Sequence, residues 1–290
     1  MHIPVLLKEV LAGLDPHPGD IFIDGTIGEG GHSLEILKKI KSGGILVGID
    51  WDESILQKAY GKLQSYSREN RIILEAGNYA EMDFIAARHG IKRASGVLLD
   101  LGFGTHTLES SGRGFSFQKD EWLDMRYSPK LNQLTAYEII NSWPAGEIAK
   151  IIYEYGEERN ARRIAKIIVS SRRIKKIGTT KELGELIKKA VGFRGKLHPA
   201  TKTFQALRIA VNDELENLKK GLIAGSKILN TGGKIAVISF HSLEDRIIKN
   251  FFKEQKGLEV ITKKPIVGSQ EEFLKNPRAR SAKLRIARKI

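Results

Sequence analysis

Residues 21–32 read Ile-Phe-Ile-Asp-Gly-Thr-Ile-Gly-Glu-Gly-Gly-His, and they are the starting point for the fold. Three apolar residues before Asp24 are typical of a buried strand. The four glycines from Gly25 to Gly31 predict a tight turn, because glycine tolerates positive φ and lets a ligand approach the backbone. The next apolar residues recur at helical spacing, with Ser33 as a candidate cap. We therefore predict a strand, a ligand-binding turn and a helix N-terminus.

The spacing of these glycines bears on the ligand. They lie at positions 25, 28, 30 and 31, which does not match the Gly-x-Gly-x-x-Gly fingerprint of dinucleotide sites. An acid at the end of the strand, Asp24, is instead typical of sites for S-adenosylmethionine, which has no pyrophosphate to bind. The sequence favours S-adenosylmethionine, and a glycine-rich turn that binds nothing stays open as the alternative.

The composition excludes several classes of protein. The chain has 290 residues, 41% of them hydrophobic and 28% charged, and no apolar run long enough for a membrane span. No signal peptide is recognisable, which predicts a cytoplasmic protein. The absence of cysteine excludes disulfides, thiolate zinc sites and a cysteine nucleophile. The histidines form no His-x-x-x-His pair, so no metal site is predicted.

Acids also end two later apolar runs, at Asp50 and at Asp100. An acid after the second strand of a βαβ unit is well placed to accept hydrogen bonds from ribose hydroxyls, so Asp50 is the candidate for that role. Asp52 is its rival, and a solvated turn carboxylate is the other interpretation of either. Because the carboxyl ends of parallel strands share one sheet edge, we expect Asp24, Asp50 and Asp100 to lie along it.

The order of the elements predicts an α/β fold. It is a doubly wound, mostly parallel seven-stranded Rossmann-like methyltransferase sheet with an inserted all-helical domain. Residues 1–107 and 199–290 are assigned to the sheet domain and 108–198 to the helical insert. One long helix is expected from Pro199 to Leu222. Two late extended runs, 258–262 and 282–287, are expected to form an antiparallel pair at the end of the sheet.

The net charge of +14 points to a polyanionic partner, most simply nucleic acid. The runs Arg159–Lys176 and Arg278–Lys289 contain no acid, and together they predict a cleft that grips a nucleic-acid strand. A solvated basic surface is the alternative for each run alone. The candidates for stacking an unpaired base and binding its strand are Phe115, Phe117 and Trp122, beside Arg113 and Arg126.

Several longer motifs carry a resemblance. They are His-Ile-Pro-Val-Leu-Leu at 2–7, Asp-Gly-Thr-Ile-Gly-Glu-Gly-Gly-His-Ser at 24–33, Arg-Gly-Phe-Ser-Phe at 113–117, Leu-Asp-Met-Arg at 123–126, Tyr-Gly-Glu-Glu at 155–158, His-Pro-Ala-Thr-Lys-Thr-Phe-Gln-Ala-Leu-Arg-Ile-Ala-Val-Asn-Asp-Glu-Leu at 198–215, Ser-Phe-His-Ser-Leu-Glu-Asp-Arg at 239–246 and Asn-Pro-Arg-Ala-Arg-Ser-Ala-Lys-Leu-Arg at 276–285. Over essentially its full length the chain resembles the bacterial small-subunit ribosomal RNA methyltransferase H family. Members of that family methylate the exocyclic N4 of a cytidine in the decoding region of 16S rRNA with S-adenosylmethionine.

The resemblance also implies roles for individual residues. It places Gly30, Gly31 and His32 against the methionine part of the cofactor and Asp50 on the ribose. It further places Tyr79 at the family's aromatic position by the adenine, for which core packing is the alternative, and Asp100 next to the cofactor. The chain departs from the family at Thr107, where a cofactor-contacting glutamine is expected.

Two residues are candidates for the chemistry. Asp100 is the candidate acceptor for a proton of the cytosine amine, with the backbone carbonyls of 101–104 as competitors. His241 is a candidate to orient the base or receive the proton, and a structural hydrogen bond is its alternative role. The expected partner is small-subunit rRNA or the assembled small subunit, and a homodimer is left open. Two other functions are weighed: a non-catalytic RNA-binding assembly factor and, less favoured, an NAD-dependent oxidoreductase.

Overall fold

A computed structural model describes residues 4–102, 111–193 and 198–290 of the chain. The chain divides into two compact units. The first, here the sheet unit, consists of Met1–Gly102 and Leu215–Ile290, and the second, the helical unit, is Phe103–Glu214. In the part of the chain that the structure describes, no helix has both the length and the apolar character needed to cross a bilayer.

The sheet unit is built on one sheet of seven strands in the order β3-β2-β1-β4-β5-β7-β6. The first five strands pair in parallel, whereas β7 runs antiparallel to both β5 and β6. This confirms the predicted mostly parallel sheet and the antiparallel pair at its end. The strands are β1 (Ile21–Asp24), β2 (Ile45–Asp50), β3 (Arg71–Ala76), β4 (Ala94–Asp100), β5 (Leu229–Ser239), β6 (Leu258–Val260) and β7 (Lys283–Lys289).

Helices connect the strands and form the insert. They are α1 (Leu7–Leu14), α2 (Gly31–Lys39), α3 (Glu53–Leu63), α4 (Met82–Arg88), α5 (Ala136–Ser142), α6 (Ala145–Gly156), α7 (Ala161–Arg172), α8 (Thr180–Val191), α9 (Thr201–Asn212), α10 (Glu214–Ile228), α11 (Ser242–Glu254) and α12 (Gln270–Lys275).

The sheet is buried on both faces. Successive strand residues point to opposite sides, and those on each side pack in an apolar core. Ile23 and Val97 belong to one apolar core, while their neighbours Phe22 and Leu98 belong to the other. All four side chains are at most 1% exposed. Near-continuous apolar runs, rather than alternating ones, are therefore what the first strands require.

The helical unit has its own apolar core, which includes Ile139, Ile152 and Ile164. Helix α8 begins with the predicted capping box: the Thr179 side chain accepts from the Glu182 N–H, and the Glu182 carboxylate accepts from the Thr179 N–H.

The predicted single helix from Pro199 to Leu222 is wrong. Helix α9 ends at Asn212, because Asp213 takes the left-handed conformation (φ 49°) and donates its N–H to the carbonyl of Ile209. The apolar stripe also divides, since Phe204, Leu207 and Val211 pack in the core of the helical unit, whereas Leu218 and Leu222 pack in that of the sheet unit. The second boundary between the units consequently falls at Glu214 and Leu215, not at 198/199.

Candidate active site

The predicted row of carboxylates lies at the carboxyl edge of the parallel strands. Asp24 pairs in register with Gly48 of β2 and Leu98 of β4. Asp50 and Asp100 each lie two residues further along those strands, so all three side chains leave the sheet on the same side. The edge thus carries three acids next to the turn that joins β1 to α2.

Asp24 is the most deeply buried of the three, at 2% exposed. Its carboxylate accepts hydrogen bonds from the Ser33 hydroxyl at 2.7 Å and from the Thr26 N–H at 3.2 Å. Burial raises the pKa of Asp24 above its usual value, and the hydrogen bond from Ser33 only partly offsets this. Ser33 is not the helix cap that the sequence suggested, because α2 already begins at Gly31 after Gly30 in the left-handed conformation.

Asp50 reaches the same turn from β2. One carboxylate oxygen accepts from the Gly28 N–H at 3.1 Å, and the other accepts from the Asp52 N–H at 3.0 Å. Burial raises the pKa of Asp50 to about 6, against the hydrogen bonds from Asp52 and Gly28, which lower it. A carboxylate accepts about four hydrogen bonds, so two acceptor positions remain for hydroxyl donors.

Asp100 faces His32 across the edge. The Oδ2 atom of Asp100 lies 3.8 Å from Nδ1 of His32, and its Oδ1 atom accepts from the Gly102 N–H at 3.3 Å. His32 is held from its other side, where Nε2 donates to the carbonyl of Val5 at 2.9 Å. The Thr26 hydroxyl accepts from the Asp100 N–H at 2.6 Å. The roles of Thr26 and Val5 were missed, because neither residue carries a spacing signal.

The glycines of the turn meet two different requirements. Gly28 (φ 53°) and Gly30 (φ 76°) adopt positive φ, which residues other than glycine rarely do. A Cβ atom on Gly31 would lie 2.7 Å from the Pro4 ring, so a side chain there would displace the N-terminal segment. Around Gly28 a Cβ atom would meet only the Thr26 carbonyl, at 3.9 Å. The turn therefore leaves open space at Gly28, whose N–H donates to the Asp50 carboxylate.

Tyr79 lies in a short 3₁₀ helix after β3 and is 8% exposed. Its ring packs so closely on α10 that a Cβ atom on Gly221 would lie 2.5 Å from Cδ2 of Tyr79. Tyr79 also packs on Gly25 of the turn, where an added Cβ atom would lie 2.9 Å from the Tyr79 Cβ atom. Tyr79 is thus a core residue that touches the turn, and its contact with adenine stays a prediction.

His241 follows β5 and caps helix α11. Its Nδ1 accepts from the Glu244 N–H at 3.4 Å, and the Glu244 carboxylate accepts in return from the His241 N–H. The ring is only 11% exposed, and its Nε2 lies 3.2 Å from a carboxylate oxygen of Glu244. This geometry corresponds to the structural role that the sequence left as the alternative.

The residues expected to bind the substrate have structural contacts in the helical unit. Phe115 is 7% exposed and stacks on Tyr127, with ring centroids 5.6 Å apart. Arg113 donates to the carbonyls of Arg126 and Tyr127, while Arg126 forms a two-pronged ion pair with Asp124 at 2.7 and 2.9 Å. None of these positions supports the predicted contact with RNA. Thr107 lies outside the described residues.

Of the two basic runs, Arg278–Lys289 has three of its six cations in ion pairs. Asp245 pairs with both Lys283 and Arg285, and Glu259 pairs with Arg288. These acids lie on α11 and β6, far from the run in sequence, so the run alone gave no sign of them. Half of the run thus has an intramolecular counterion, and its place in a nucleic-acid cleft stays a prediction.

A sheet of this order with an acid-lined glycine turn on its carboxyl edge has the Rossmann-like methyltransferase fold. A solved structure from Clostridium thermocellum, assigned as an rRNA methylase, shares the fold with a TM-score of 0.51 at 14% identity, covering 100% of both chains. The chain belongs to the MraW methylase family, whose family model matches residues 1–290.

Curated relatives agree with this family. A protein of Persephonella marina named ribosomal RNA small subunit methyltransferase H is 48% identical and covers 100% of this chain and 99% of its own length. A protein of the same name from Heliobacterium modesticaldum is 45% identical, with coverage of 100% and 98%. Membership of a methylase family argues against the oxidoreductase that the sequence left as its least favoured alternative.

Proposed function

We propose that this protein transfers a methyl group from S-adenosylmethionine to the exocyclic N4 of a cytidine in the decoding region of the small-subunit rRNA. The observation that carries the proposal is the acid-lined glycine turn of a chain that belongs to the MraW methylase family. The names of its relatives supply the class of RNA. We expect the reaction to take place in the cytoplasm, where ribosomal subunits are assembled.

The turn offers complementary groups to each part of the cofactor. The methionine carboxylate suits the N-terminus of α2 at Gly31 and His32, because backbone N–H groups and the helix dipole favour an anion there. Gly30 is assigned to the same part of the cofactor through its position in the turn, since its own N–H donates to the Ile27 carbonyl at 2.8 Å. Asp50 has acceptor positions for the ribose hydroxyls, and Tyr79 is assigned to the adenine side. When bound, the cofactor supplies an electrophilic methyl group on a cationic sulfur, which the neighbouring acids attract.

We assign to Asp100 the role of accepting a proton from the cytosine amine. The N4 lone pair is delocalised into the ring, and an acceptor for an amine proton makes that pair more available for attack on the methyl group. As the N–CH₃ bond forms and the S–CH₃ bond breaks, one amine proton leaves N4 for the carboxylate. His241 is not assigned this role, because Nδ1 of its ring already accepts from the Glu244 N–H.

The direct test uses small ribosomal subunits purified from cells that lack this protein. Incubation with labelled S-adenosylmethionine should incorporate about one methyl group per subunit, and nucleoside analysis should identify it as N4-methylcytidine. Methylation of another atom or another RNA would contradict the proposed specificity. Tight binding to subunits without any transfer would favour the assembly factor instead.

Asp100→Asn should separate chemistry from binding. The amide keeps an acceptor for the Gly102 N–H but cannot take the amine proton, so we expect the single-turnover rate to fall roughly 10²-fold or more. Affinity for S-adenosylhomocysteine, measured by calorimetry, should change little.

Asp50→Ala is the control for this variant, since we expect it chiefly to weaken cofactor binding. Near-normal turnover of Asp100→Asn would exclude its carboxylate and favour the carbonyl of Leu101 or of Gly102 as the acceptor.

A further inference from the structure

An open groove runs between α6 and α7 in the helical unit, here called the α6–α7 groove. Small residues line part of it, among them Gly146, Ala149 and Ala161. Its rim carries cations from both helices and from the residues beside α7. The six cations are Lys150, Arg159, Arg162, Arg163, Lys166 and Arg173.

The charge of this groove is not balanced by acids. None of the residues that line it is acidic, although α6 contains Glu147 and Glu154 at other positions. The six cations are exposed, and none of them forms an ion pair with any described residue. Their neighbours in sequence behave differently: Arg172 donates to two carbonyls, and Lys175 pairs with Glu182.

Unpaired cations this close together repel one another unless an anion joins them. The run Arg159–Lys176 contains both paired cations and five unpaired ones, and those five line one groove together with Lys150 of α6. This distribution is therefore more informative than the net charge. When cations bind the phosphates of a nucleic acid, the counterions condensed on it are released, which favours binding. A nucleic-acid backbone is therefore the polyanion that suits such a row best. Four of the six are arginines, whose planar guanidinium groups match phosphate oxygens.

The groove also contains an exposed aromatic residue. Tyr153 of α6 is 63% exposed and lines the groove among the cations. An exposed ring beside a row of cations is the arrangement with which proteins bind single-stranded nucleic acid, because bases stack on the ring while phosphates meet the charges.

We propose that the α6–α7 groove binds a single-stranded segment of the substrate RNA, with phosphates on its six cations and one unpaired base on Tyr153. This deepens the proposed function and rests on it, since it specifies how the helical unit holds the same RNA. The groove acts in affinity for the RNA and takes no part in methyl transfer itself.

The first test removes charge from the groove. In Arg162→Gln/Lys166→Gln, two exposed cations one helical turn apart become neutral while the residues under them are unchanged. We expect KM for small subunits to rise about tenfold at physiological salt, with kcat unchanged. The slope of log affinity against log salt for a labelled single-stranded RNA should fall by about 1.4, which is 0.7 for each lost phosphate contact.

The matched control is Lys181→Gln/Lys189→Gln. These lysines lie on α8, are exposed, make no ion pair with the described residues and lie outside the groove. The same change of charge should leave KM and the salt slope within about twofold of the wild type. An equal loss in both double variants would mean that net charge, not the groove, binds the RNA, and would overturn the proposal.

The second test addresses the stacked base. Tyr153→Leu should weaken binding of the labelled RNA about tenfold, whereas Tyr153→Phe, which keeps the ring, should stay within about twofold. Because the residue is largely exposed, neither change should alter the thermal unfolding midpoint. Equal affinity of the Leu and Phe variants would exclude stacking at this position.

The outcomes separate this proposal from the proposed function. If the wild type transfers no methyl group to small subunits, the proposed function fails, whatever the groove binds. If the wild type is active and the groove variants keep their KM, the groove proposal alone fails. A higher KM for assembled subunits with unchanged affinity for protein-free rRNA would mean that the groove contacts a ribosomal protein, which also overturns it.

Discussion

Asp24 keeps an ionisable group inside the sheet unit at the point where β1 enters the glycine turn. Its two hydrogen bonds do not fully replace the water that it loses, so burial raises its pKa. A carboxyl with a higher pKa in the folded than in the unfolded state lowers stability as the pH rises through that interval. We therefore expect the sheet unit to be less stable at neutral pH than the same fold with a neutral residue at this position.

Asp24→Asn should therefore stabilise the protein in a pH-dependent way. The amide can accept from the Thr26 N–H and donate to the Ser33 hydroxyl, so both contacts survive. We expect a gain of about 1–3 kcal/mol in the free energy of unfolding at pH 8, shrinking to under about 0.5 kcal/mol near pH 4. Urea unfolding at the two pH values measures it. A loss at pH 8 would show that the charge is compensated in the folded protein.

At this scale the sequence predicted positions better than contacts. Asp24, Asp50 and Asp100 could be placed on one edge because strand ends are visible as changes from apolar to polar residues. The partner of His32 could not be, since Val5 offers a backbone carbonyl that no side-chain pattern reveals. The contacts of Phe115 and Arg126 could not be predicted either, because an aromatic residue beside arginines has the same composition whether it faces solvent or packs against Tyr127.

Two helical glycines, one in α3 and one in α10, show how differently elements use the same residue. A Cβ atom on Gly61 would meet nothing within 4 Å, whereas one on Gly221 would clash with the Tyr79 ring at 2.5 Å. We expect Gly61→Ala to stabilise the protein by about 0.5–1 kcal/mol, because alanine is the better helix former. Gly221→Ala should destabilise it by about 1–3 kcal/mol through overpacking.

Thermal and urea unfolding of both variants measure these effects, and each variant is the control for the other. Because Tyr79 touches the glycine turn, Gly221→Ala should also weaken binding of S-adenosylhomocysteine, whereas Gly61→Ala should not. Unchanged stability of Gly221→Ala would mean that the Tyr79 ring is free to move away from α10.

Elements were predictable where their signal is local. All seven strands could be assigned from apolar runs, and the capping box of α8 from Thr179 and Glu182. The break at Asp213 could not be seen, since aspartate is not an obvious helix breaker and the apolar stripe continues past it in phase. The ion pairs of β7 with Asp245 and Glu259 were also hidden, because they join residues that are distant in sequence.

For the molecule as a whole, the two units have separate cores, and the proposed cofactor site and the α6–α7 groove fall on different units. Saturation with S-adenosylhomocysteine at about 100 times its Kd should stabilise the folded state by about 2.7 kcal/mol. We expect slower hydrogen exchange in segments 25–33 and 50–52 and unchanged exchange over 145–173. Mass spectrometry of peptic peptides measures this. Protection confined to 145–173 would move the cofactor to the helical unit.

The insertion of the helical unit between β4 and β5 has a consequence for biosynthesis. Strand β4 ends at Asp100, but its neighbour β5 begins only at Leu229, and β5 itself pairs with a strand at the very C-terminus. At translation speeds of ~5–20 residues per second, β5 is synthesised roughly ten seconds after β4, so the edge of β4 stays unpaired for that time. The nascent polypeptide therefore exposes an aggregation-prone strand edge while the ribosome is still at work, and a chaperone that shields it should raise the yield of active protein.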